Sequence, residues 1–175
     1  MQKAVVNDVE LVTCTMKDAV RELQEAVEAS SDSKTDEDDL GSIDGLTPAA
    51  RALAIPVLQL MKAGCNLCTS LDKLFAPLTQ SPADIDCMER ALECVHALGS
   101  QIDDVACALY ECGDEDEDLQ GVVKLATTFH GSCSKLVALL LANPSLHGQV
   151  EALKRLEVVN GVLTKSLDAC RVAKP

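Results

Sequence analysis

Aromatic side chains are nearly absent: the 175 residues hold no Trp, one Tyr and two Phe. A β-sandwich leans on aromatic and β-branched residues, so that class is disfavoured. The interior has to come from Leu, Val, Ala, Met and Cys, which suits helices packed on helices. A basic surplus is missing too, for the formal charge is −13. Nucleic acids are polyanions that need a basic face, and unpaired bases need aromatic platforms. Direct nucleic-acid binding is therefore not expected, and an anionic membrane surface is disfavoured on the same charge argument. No uninterrupted apolar run approaches the roughly 20 residues that span a bilayer. Charges also break up the opening segment MQKAVVNDVELVTC, which does not read as a signal peptide.

Cysteine, by contrast, is plentiful. Nine of them, an odd number with no secretion signal, predict free thiols in a reducing compartment, buried as small apolar groups. Cys65 and Cys68 form a Cys-x-x-Cys pair. A structural zinc needs four ligands, and no second such pair exists. A thioredoxin-type motif needs a preceding strand, whereas this pair sits inside a helical run between Met61 and Leu71. The expectation is scaffold, with no metal and no cofactor.

Apolar spacing predicts five helices, at about 3–29, 47–75, 82–111, 117–142 and 145–172. In the first, Val5, Val9, Val12, Met16, Ala19, Leu23 and Ala26 alternate spacings of four and three, with Val20 and Val27 widening the stripe. Thr47 and Ser81 read as N-caps, each followed by a proline at the first helical position. Pro56 removes one backbone hydrogen bond and should bend the second helix. The fifth helix carries Val150, Leu153, Leu156, Leu163, Leu167 and Cys170. The last three connections are short, which favours antiparallel neighbours. The predicted fold is all-α: one domain, an antiparallel up-and-down bundle of five long helices.

That topology brings the first and third connections to the same end. Residues 32–44 hold six acids and one Lys, and residues 111–118 hold six acids and no base. Together they carry −11 of the −13, so one pole is expected to be strongly acidic and to steer a basic partner. The candidate contact residues are Asp36, Glu37, Asp38 and Asp39 in one loop and Asp114, Glu115, Asp116, Glu117 and Asp118 in the other. The competing reading is that both are solvated connections. Ser33 and Thr35, each with an Asp three residues on, are candidate phosphorylation sites that would deepen the same pole.

Other constellations fall short of chemistry. Glu93 and His96 have di-iron spacing, but no second copy exists. The segment from Asp36 resembles a calcium loop, yet Leu40 and Thr47 occupy positions that need ligands. There is no Gly-x-Ser-x-Gly and no Gly-rich phosphate loop. No enzyme is expected.

Two stretches carry a resemblance: Ile55-Pro56-x-Leu58-x-Leu60 ahead of the Cys-x-x-Cys, and Ile102-Asp103-Asp104-Val105-Ala106-x-Ala108-Leu109-Tyr110. With the first helix, the acidic loops and the final helix, they resemble the C-terminal half of the cyclin-D-binding proteins, also called Grap- and cyclin-D-interacting proteins. The resemblance implies a non-enzymatic helical regulator in nucleus and cytoplasm. Such a regulator binds D-type cyclins and helix-loop-helix factors, and damps cell-cycle phosphorylation and transcription. The first helix, acidic loop and second helix do make a helix–loop–helix shape with no basic stretch before it. The other reading is a vinculin- or talin-like adaptor that takes partners by helix addition. A heptad face left open would also let two copies pair.

Overall fold

The helix starts are set by side chains that satisfy backbone N–H groups. Ala50 N donates to Thr47 Oγ1 at 3.2 Å, and Asp84 N donates to Ser81 Oγ at 3.2 Å. Pro48 and Pro82 follow as the first helical residues, as the sequence indicates. The computed structural model describes residues 2–32, 46–78, 81–113 and 115–173. They form α1 (Gln2–Asp32), α2 (Pro48–Phe75), α3 (Pro82–Tyr110), α4 (Asp116–Ala142) and α5 (Val150–Val172), with no strand among the described residues. The helix runs unbroken through Pro56.

The fifth helix begins later than its apolar pattern suggests. Asn143 Oδ1 accepts from Ser145 N at 2.9 Å, and Pro144–Leu146 wind into a single 3-10 turn that buries Leu146. A short polar side chain that bonds its own backbone competes with α-helix, and here it wins. Val150, expected in the core, is instead 58% exposed.

The helices alternate in direction. Asn143, just past α4, meets Asp84 at the start of α3 at 3.4 Å, and Gln149 Nε2 donates to Leu74 O at 3.5 Å. α1 and α3 run parallel, with Val12 at Gly99 and Glu22 and Glu25 beside Tyr110. Around the bundle the order is α1, α2, α5, α4, α3 and back to α1. α2 therefore packs mainly on α1 and α5, and only lightly on α3, its successor in sequence. It also reaches α4 and so touches every other helix.

α2 is long and apolar enough to cross a membrane by length and composition, as is α4. In α2 that apolarity serves the core, where Leu53, Leu60, Met61, Leu67, Leu71, Leu74 and Phe75 are almost completely buried. Two glycines permit close approach. A Cβ on Gly64 would lie 2.5 Å from Phe129 Cζ, and one on Gly99 would lie 2.7 Å from Val12 Cγ1. In α1 the buried stripe is Val5, Val9, Thr13, Met16, Val20 and Leu23, with Val12 and Ala19 only half-buried. Thr13 is tolerated there because its hydroxyl donates to Val9 O at 2.7 Å.

Candidate functional site

Cys65 and Cys68 point into the bundle from α2, near Cys133 of α4 and Cys94 of α3. Burial pushes the Cys65 thiol up to about 11 and the Cys68 thiol to about 12, and it raises Cys133 and Cys94 as well. The thiolate is the nucleophile and the metal ligand, so these sulfurs stay protonated at neutral pH and pack as small apolar groups. Among the described residues, no three His, Cys, Asp or Glu side chains gather as a metal site. Glu93 and His96 both lie exposed on α3.

The acidic residues divide. Asp36, Glu37, Asp38, Asp39 and Asp114 lie outside the described residues, as do Ser33, Thr35 and the calcium-like segment as far as Gly45. Glu115, Asp116, Glu117 and Asp118 are exposed at the start of α4, with Glu111 just across the turn. Part of their role is local. Asp116, Glu117 and Asp118 occupy the first turn, where the helix dipole favours negative charge. Asp118 Oδ2 also accepts from Gly113 N at 3.2 Å. The alternation of helices puts this turn at the end where α1 finishes and α2 begins.

Tyr110 joins the cluster. It closes α3, is 50% exposed, and faces Glu22 and Glu25 of α1. Partial burial and then those carboxylates hold its phenol above the ordinary range, so it remains a hydrogen-bond donor at neutral pH. The single tyrosine, at the C-terminal end of a helix beside an acidic turn, was the available signal.

A second feature was not legible. A groove of about 870 Å³ runs between the C-terminal half of α2 and the N-terminal half of α5. Recesses between α3 and α4 are smaller, at about 210 and 600 Å³. The groove combines Leu74, Leu156, Val158 and Val159 with Lys73, Lys154 and Arg155. Arg155 Nε lies 3.6 Å from Glu151 Oε1. Neither helix shows this by itself, because the basic and apolar residues meet only when α2 and α5 pack.

No protein-family model and no curated protein matches this chain.

Proposed function

We propose that the chain is a non-enzymatic protein-interaction module, a negative regulator of cell cycle and transcription of the cyclin-D-binding kind. Its partners are D-type cyclins or helix-loop-helix factors in cytoplasm and nucleus. The observation that supports this best is the half-exposed Tyr110, which faces Glu22 and Glu25 of α1 at the pole where Glu111 and the α4 carboxylates are also exposed. An aromatic with a polar tip beside two carboxylates suits a contact hot spot for a basic segment.

The test is binding of purified D-type cyclin and of a helix-loop-helix factor to the full chain. A variant carrying Tyr110→Ala, Glu115→Gln, Asp116→Asn and Glu117→Gln should lose most of the affinity. It should also lose most of the salt dependence of association. Asp118 is left intact because it holds Gly113. Equal binding by both chains would move the contact away from this pole. No binding of either partner would sink the cyclin reading.

A second reading has its own support. The α2/α5 groove is the kind of surface on which vinculin- or talin-like bundles add a helix, so an adaptor role follows from it.

A further inference from the structure

The net charge of −13 conceals a local inversion. α2 carries three cations and one acid, and α5 carries four cations and three acids, so together they are net +3. They are adjacent, while α1 and α5 do not pack appreciably on each other. α2 therefore shows solvent a narrow stripe between its neighbours: Ala52, Ile55, Gln59, Asn66, Thr69 and Lys73 are exposed along it. The groove lies at the lower end of that stripe, remote from the acidic pole, because it joins the end of α2 to the start of α5.

The α5 wall is apolar where solvent-facing helix is normally polar. Val150 is 58% exposed and Val158 is 67% exposed, and both line the groove. Lys154 stands between them, so the three form one ridge of spacing four. Val162, 45% exposed, continues the ridge by another four residues. From Val150 to Val159 the helical wall is roughly 14 Å long at about 1.5 Å per residue, which matches two to three turns of an incoming helix.

We propose that this groove binds an amphipathic helix whose polar face is acidic, supplied by a partner protein. The incoming apolar face covers Val150, Val158 and Val159, and its carboxylates meet Lys73, Lys154 and Arg155. Charge complementarity selects this occupant. A basic helix would be drawn to the acidic pole instead, and would meet three cations in the groove with only Glu151 to offset them. The inference rests on the helix-addition reading and is independent of the Tyr110 end.

The experiment displays a library of amphipathic helices with a fixed Leu face and randomised polar positions, and selects it on the full chain. The expected result is enrichment of Glu and Asp. Enriched peptides should bind at least tenfold more weakly to a chain carrying Val158→Asp, Lys154→Glu and Arg155→Glu. They should bind normally to one carrying Leu11→Asp, which alters an exposed apolar residue on a helix that does not line the groove. All four positions are exposed, so these variants keep the fold, which circular dichroism verifies. Enrichment of helices with neutral or basic polar faces would overturn the acidic specificity while leaving helix addition standing. No enrichment at all would remove both. Capture of the chain by phosphatidylserine vesicles, lost in the triple variant while the peptides fail to bind, would assign the face to an anionic lipid surface and overturn the proposal.

Discussion

α2 and α5 are neighbours of similar length with opposite circumstances. α2 touches all four other helices, starts on a Thr47 cap, and accepts Phe129 into the notch at Gly64. α5 packs mainly on two helices, has no side-chain cap at Gln149, and has open space around Gly161. Its fully buried contribution is Leu156, Leu163, Ser166, Leu167 and Cys170, all on the side that meets the bundle. Helix propensity does not separate the two, since both are rich in Leu, Val and Ala. Position does: α2, packed by four helices, leaves only a narrow stripe to solvent, whereas a peripheral helix is held along one seam and keeps surface to spare. The spare surface is where the groove lies.

Truncating one buried leucine in each helix tests this most forcefully. Leu67 and Leu163 are both 0% exposed. Large-to-small changes of this kind cost ~2–5 kcal/mol, depending on how far the surroundings collapse into the cavity. Leu67→Ala should fall near the top of that range because α2 is enclosed. Leu163→Ala should fall near the bottom because α5 can settle inward. Urea unfolding of both variants measures the difference. Equal losses would mean that α5 is as rigidly placed as α2, and the comparison would fail.

The glycines give a smaller contrast with opposite signs. A methyl at Gly64 meets the fully buried Phe129 ring at 2.5 and 2.8 Å. Overpacking costs ~1–3 kcal/mol and the helix propensity of Ala returns ~1 kcal/mol, so Gly64→Ala should be destabilising by up to about 2 kcal/mol. Gly161→Ala meets nothing within 4 Å and should stabilise by ~0.5–1 kcal/mol. At ~2–4 °C per kcal/mol for a chain of this size, thermal melts resolve both directions. A neutral Gly64→Ala would show that the α2/α4 contact yields more than its geometry suggests.

These two regions also differ in how well the sequence exposed them. The bundle was legible because periodicity, Thr47-Pro48 and Ser81-Pro82 all pointed to the same helices, and caps act within a few residues. The burial of Cys65 and Cys68 was legible from their place in an apolar helical run, and both pack into the core from α2. The stripe of α1 was legible in Val5, Val9, Met16, Val20 and Leu23 but omitted Thr13, which looks polar in sequence yet satisfies its hydroxyl on Val9 O. Val150 was assigned to the core because the Asn143 turn, which moves the helix start, uses no apolar signal. The charge surplus of α2 with α5 was hidden by the total, because it depends on which helices become neighbours. That order is set by packing between segments some 75 residues apart, as in Leu74 with Gln149, and no local pattern records it.

The smallest effect follows the α5 seam from its other side. His130 of α4 lies with its Nε2 3.4 Å from Thr164 Oγ1 of α5. Partial burial lowers its pKa below 6.5, Arg171 lowers it further, and Asp168 opposes them. A histidine depressed in the folded state favours the neutral ring. Its contribution to stability is therefore present above the ordinary histidine value and is lost as pH falls through the lowered one. NMR titration should place the His130 midpoint below 6.5 in the native chain. Arg171→Gln should raise it by leaving Asp168 without its counter-charge, and Asp168→Asn should lower it further. Both shifts require α5 to be seated on α4, so they vanish if α5 leaves the bundle. A native midpoint at the ordinary value, unmoved by either variant, would mean that the seam is open in solution. The contrast between α2 and α5 would then be larger than the packed structure shows.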